Sequence, residues 1–196
     1  MFIPILSVVT AVFATLTILL RRKGKSFEGM LCKFISSFGF MSMAFIGFCY
    51  RIEEADKLVH PFYFCLVAFG LLFGLGGDVL LGIKEIAPKY KNKLIALGTL
   101  AFLIGHFFYL ASFYKAEPTF SIIPYIAAFV ITAIIAIIIK AIKMKLDSKM
   151  YILCVFYFFV IALCACVSGY MLYLTRSLTF IITTIASVVF VISDSV

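Results

Sequence analysis

Asp78, Asp194 and His106 interrupt long apolar stretches of this sequence. The other seven acids fall between such stretches. An ionisable residue at membrane depth costs about 3 kcal/mol or more unless it meets a partner or a cavity. These three are therefore the first candidates for chemistry. Two carboxylates in a low-dielectric space divide roles, because one holds its proton while the other stays ionised. Such an acid and base suit hydrolysis without a metal or a covalent intermediate. They equally suit a proton relay.

Small and polar neighbours accompany them. Gly70, Gly74 and Gly77 precede Asp78, and Gly98, Ala101 and Gly105 precede His106. Small residues of this kind let helices approach closely. His106 and Tyr109 are neighbours at i, i+3. Tyr157, Cys164 and Ser168 share one helical stripe, and Thr183, Ser187 and Asp194 share another. Each stripe can line a polar cavity, or its hydroxyls can simply hold helices together.

The elements that must position these groups are set by composition. Of 196 residues, 65% are hydrophobic and 13% charged. Soluble domains are about half apolar and a quarter charged, so a cytosolic enzyme and a disordered chain are both excluded. Seven runs without charge span Met1–Leu20, Phe34–Tyr50, Leu58–Gly77, Leu94–Tyr114, Pro118–Ile139, Met150–Thr175 and Ser177–Ser193. They predict an all-α polytopic bundle in one transmembrane domain, because a spanning helix needs about 20 apolar residues. A β-barrel would alternate apolar and polar residues, and Ile131–Ile139 does not. With flanking residues, the spans are expected at about 1–20, 31–50, 58–83, 94–114, 118–139, 150–175 and 177–196.

Lys and Arg are unequally shared among the loops. Loops one, three and five carry 13 and the others 4. The positive-inside rule then places the N-terminus outside. The net charge of +8 reflects this topology and attraction to anionic lipid; no nucleic-acid partner is expected. The first run lacks a basic leader and a cleavage site, so it is expected to remain as a helix. The seventh run ends without a polar flank, and the native chain is expected to continue.

In this topology Asp78 lies about 7 Å from the inner end of its helix, and Asp194 within about 5 Å of the same boundary. His106 lies about 18 Å above the inner face. The six cysteines are read as packing residues, with no zinc site, no disulfide framework and no cofactor. There is no Gly-x-Ser-x-Gly elbow, no His-Glu-x-x-His and no phosphate-cradling glycine loop.

At these positions the chain resembles the YhhN family of membrane proteins, which includes lysoplasmalogenases. The matching pieces are Gly77-Asp78 with Leu80-Leu81, and Gly98-x3-Phe102-x3-His106-x2-Tyr109. Tyr157 with Val160 and Ile161, and Phe190-x2-Ser193-Asp194-Ser195, complete the series. Lys33 matches a family lysine, although Phe34 stands where proline is usual. The resemblance implies eight spans, of which the last would follow Val196. It also implies hydrolysis of the vinyl-ether bond of a lysophospholipid, with Asp78 and Asp194 as the catalytic pair. His106, Tyr109, Tyr157, Ser193 and Lys33 would then orient the pair or bind substrate. Lys33 and Lys84 near the inner face serve either the phosphate or the topology. The competing readings are a proton-coupled transporter of a small amphiphile and a non-catalytic scaffold. No internal repeat supports the transporter.

Overall fold

Each apolar run folds as one helix, as a lipid environment demands, because every backbone N–H and C=O must be satisfied internally. The computed structural model describes residues 2–54, 61–116, 121–141 and 147–195. The helices are α1 (Phe2–Arg22), α2 (Ser26–Glu54), α3 (Pro61–Ile86), α4 (Lys91–Ala116), α5 (Ile123–Ala141), α6 (Ser148–Thr175) and α7 (Leu178–Ser195). No strand occurs among the described residues. The fold is the expected all-α bundle. Among the described residues, five stretches are long and apolar enough to cross a membrane: Phe27–Cys49, Phe62–Lys84, Pro88–Lys115, Ile123–Ala141 and Ser148–Thr175. The apolar stretches Pro4–Leu20 in α1 and Thr179–Val188 in α7 are shorter.

Local chemistry explains the boundaries. Gly24 turns the chain between α1 and α2 at φ 74°, a left-handed conformation that costs glycine little. The Ser121 hydroxyl accepts from Ile123 N–H at the start of α5, and Ser177 does the same for Phe180 N–H in the first turn of α7. Arg176 closes α6 in the left-handed region, and its N–H bonds Leu172 O.

The chain forms two compact units, Met1–Gly105 and His106–Val196, and their boundary falls inside α4. In the first unit, α1 packs on α2 and α2 on α3. The direction of the second pairing follows from its contacts. Lys33 and Ser37, early in α2, meet Asp78 late in α3. Phe48, late in α2, stacks on Phe64 early in α3 at 3.6 Å between ring centres. The two helices are therefore antiparallel. The glycines supply the close approach between α3 and α4. A Cβ at Gly98 would come 2.9 Å from the Leu81 side chain, and one at Gly77 would come 2.7 Å from the Phe102 ring.

In the second unit α6 is the central helix, packed against both α5 and α7. Val160, Ile161, Ala162, Val167, Ser168 and Met171 are almost wholly buried. Tyr114 and Tyr125 share a hydrogen bond at 2.6 Å. Tyr114→Phe is expected to lower stability by about 1 kcal/mol, read from thermal unfolding in micelles. An unshifted transition would show that this bond contributes nothing.

Outward faces in both units are strongly apolar. Phe62, Phe129, Ile137, Ile152 and Ile182 are all exposed. Exposed apolar side chains of this size suit a membrane face, where lipid solvates them without cost.

Candidate active site

Asp78 is held from α2. Lys33 Nζ lies 2.6 Å from its Oδ1, and the Ser37 hydroxyl donates to its Oδ2 at 2.5 Å. Lys33 and Ser37 are four residues apart, so one face of α2 presents both groups to one carboxylate. The depths agree as well. Lys33 is six residues inside the start of Phe27–Cys49, and Asp78 six residues inside the end of Phe62–Lys84. At 1.5 Å per residue, each lies about 9 Å from the same end of the antiparallel pair.

The carboxylate is constrained but not sealed. Asp78 retains 17% of its side-chain exposure and Lys33 33%. Two oxygens offer about four acceptor positions, and these two contacts use one on each oxygen. Room remains for a water or a substrate atom. Gly74 and Gly76, on the preceding turn of α3, have nothing within 4 Å of a Cβ built on them. The glycines before Asp78 thus divide by task. Gly77 admits the Phe102 ring of α4, whereas Gly74 and Gly76 leave space.

His106, in the second unit, is buried among rings. Its centroid lies 5.7 Å from that of Tyr109 and 6.2 Å from that of Tyr157, both edge-on. Phe190 lies 4.9 Å away at a tilt. The Cys164 thiol donates to the His106 carbonyl oxygen at 3.5 Å. Four residues singled out on α4 and α6 are thus brought together: His106, Tyr109, Tyr157 and Cys164. Edge-to-face ring pairs contribute about 0.5–1.5 kcal/mol each beyond burial, so this cluster fixes the imidazole plane firmly.

Other members of the polar stripes turn to their own helices. The Ser168 hydroxyl donates to Ala165 O, and that of Thr183 to Thr179 O. Ser193 and Asp194 lie in the last turn of α7, and their side chains fall outside the described residues. The six cysteines are free. Among the described residues, no group of three His, Cys, Asp or Glu side chains could hold a metal ion.

Sequence reasoning missed Ser37. The signal was present as a hydroxyl one helical turn beyond Lys33, on the same face of α2. The ion pair was missed for a related reason, since Lys33 was matched to substrate or topology rather than to an acid.

Neither a curated protein nor a solved structure matches the chain significantly. The model of the YhhN family does match, over residues 29–196. That range takes in Lys33, Ser37, Asp78, His106 and every helix from α3 onward. Five helices long and apolar enough to cross a bilayer, among the described residues, make this an integral membrane protein. By the extent of the family match, the chain belongs to the YhhN family.

Proposed function

We propose that this protein is a membrane-embedded hydrolase that cleaves the vinyl-ether bond of lysoplasmalogens. The observation that carries this reading is the Asp78 carboxylate, ion-paired inside an apolar helix yet partly open. The family resemblance supplies the substrate class. Membrane lipid is the route by which such a substrate arrives, and the N-terminus faces outward.

The reaction is R–CH=CH–O–R′ plus water, giving R–CH2–CHO and HO–R′. A proton adds to the carbon β to oxygen and leaves an oxocarbenium ion. Water then attacks the carbon bonded to oxygen and gives up a proton. The resulting hemiacetal collapses to a fatty aldehyde and a glycerophospho-base. An ion-paired carboxylate is an acceptor only, so Asp78 takes the base role and activates the water. Lys33 offsets part of its field, which makes stabilisation of the cation the smaller contribution. The proton donor is assigned to Asp194. His106, Tyr109, Tyr157 and Ser193 bind or orient the substrate around the reacting bond.

The test is aldehyde release from a plasmenyl lysolipid by the purified protein. Loss of release in both Asp78→Asn and Asp194→Asn, with normal membrane insertion, supports the reading. Unchanged turnover in both variants would sink it. The intramembrane ion pair also favours a second reading, proton-coupled transport of a small amphiphile. That alternative predicts substrate-driven proton flux in sealed vesicles with the substrate chemically unchanged.

A further inference from the structure

Hydroxyls in apolar helices ordinarily bond back to the carbonyl one turn earlier. This chain follows that habit widely. Thr15 donates to Ala11 O, Thr17 to Phe13 O, Ser42 to Phe38 O, Thr132 to Ala128 O and Thr184 to Phe180 O. Ser37 donates instead to a carboxylate on another helix. The bond is charge-assisted, short, and formed between backbone positions about 9 Å (Asp78) and about 15 Å (Ser37) inside their spans. Such bonds are roughly twice as strong as neutral ones.

We propose that Ser37 is a positioning residue that fixes the orientation of the Asp78 carboxylate for water activation, an assignment that rests on the hydrolase reading. Lys33 alone cannot do this. Its ammonium is a compact charge on a flexible stem with three rotatable donors, and it contacts one oxygen. A carboxylate held at one oxygen still turns about its terminal bond, which is a broad, two-fold rotation. A second donor on the other oxygen stops that rotation. With Lys33 on Oδ1 and Ser37 on Oδ2, the plane of the group is set by two points on one face of α2. The remaining acceptor positions then keep a constant direction, as a base needs if it is to meet the same water in every turnover.

The experiment compares Ser37→Ala, Ser37→Cys and Ser37→Thr in the intact protein. Cys keeps the volume but donates weakly, and Thr keeps the hydroxyl. Ser42→Ala removes a back-bonded hydroxyl from the same helix and serves as the control. Ser37→Ala and Ser37→Cys are expected to lower kcat about ten- to hundredfold with KM unchanged. Ser37→Thr should recover most of the rate. In an Asp78→Asn background, Ser37→Ala should cost nothing further, because the two residues act as one unit.

A second measurement is independent of turnover. With isotope-labelled aspartate, the Asp78 carboxylate stretch is the infrared band lost in Asp78→Asn. That band should move in Ser37→Ala and Ser37→Cys and stay in place in Ser42→Ala. An unmoved band, or a rate loss that adds fully to that of Asp78→Asn, overturns the positioning role. If the unaltered protein releases no aldehyde, the hydrolase reading falls with it. The infrared band still decides whether Ser37 holds the carboxylate.

Discussion

Asp78→Asn is expected to lower aldehyde release by at least about a hundredfold, the usual contribution of a general base. The substitution keeps size and shape but removes the charge that Lys33 faces at 2.6 Å. Stability should therefore fall too. A wholly buried pair broken on one side costs about 3–5 kcal/mol, and an exposed one almost nothing. With Lys33 one third exposed, about 1–3 kcal/mol is expected between those limits. Adding Lys33→Met removes the stranded ammonium. The double variant should recover stability in thermal unfolding while remaining inactive. A double variant no more stable than Asp78→Asn would mean that the pair contributes nothing to folding. Activity retained in Asp78→Asn would remove Asp78 from the chemistry.

The second large effect is expected at Gly105. A Cβ there would come 2.9 Å from the carbonyl oxygen of Gly70 and 3.4 Å from Phe73 Cβ. The first of these is backbone and cannot rotate aside, so α3 and α4 must separate. Overpacking of this kind costs about 1–3 kcal/mol. Gly105→Ala should accordingly lower the unfolding temperature in micelles by several degrees. Gly74→Ala, on the same glycine-rich face of α3, has nothing within 4 Å and should leave it unchanged. Equal effects at the two positions would contradict the packing described.

The helices were legible in the sequence because a bilayer admits few solutions. Charge-free runs of about 20 residues can only be helices, and each became one. The glycine stripes were legible for the same reason. Close approach between apolar helices needs small residues, and Gly98 and Gly105 do meet α3. The pairing of His106 with Tyr109 followed from i, i+3 spacing. What sequence could not supply was azimuth. Depth along a helix can be counted, but the neighbour that a side chain faces depends on packing. Lys33 and Asp78 have matching depths, yet only the α2–α3 packing shows that they meet. Ser37 was invisible for that reason as well, since a serine in an apolar helix ordinarily bonds to its own backbone.

The α2–α3 ion pair also bears on how the chain enters the bilayer during synthesis. A lone Lys33 or Asp78 would each burden its own helix by about 3 kcal/mol. Joined, they present a dipole in place of two charges. The hairpin, rather than the single helix, thus becomes the favoured unit of integration, and α2 gains by waiting near the aqueous side until α3 has been made. Nascent chains truncated before Asp78 should integrate α2 less completely than chains that include it, as glycosylation mapping can measure. Equal integration at both lengths would show that α2 enters alone.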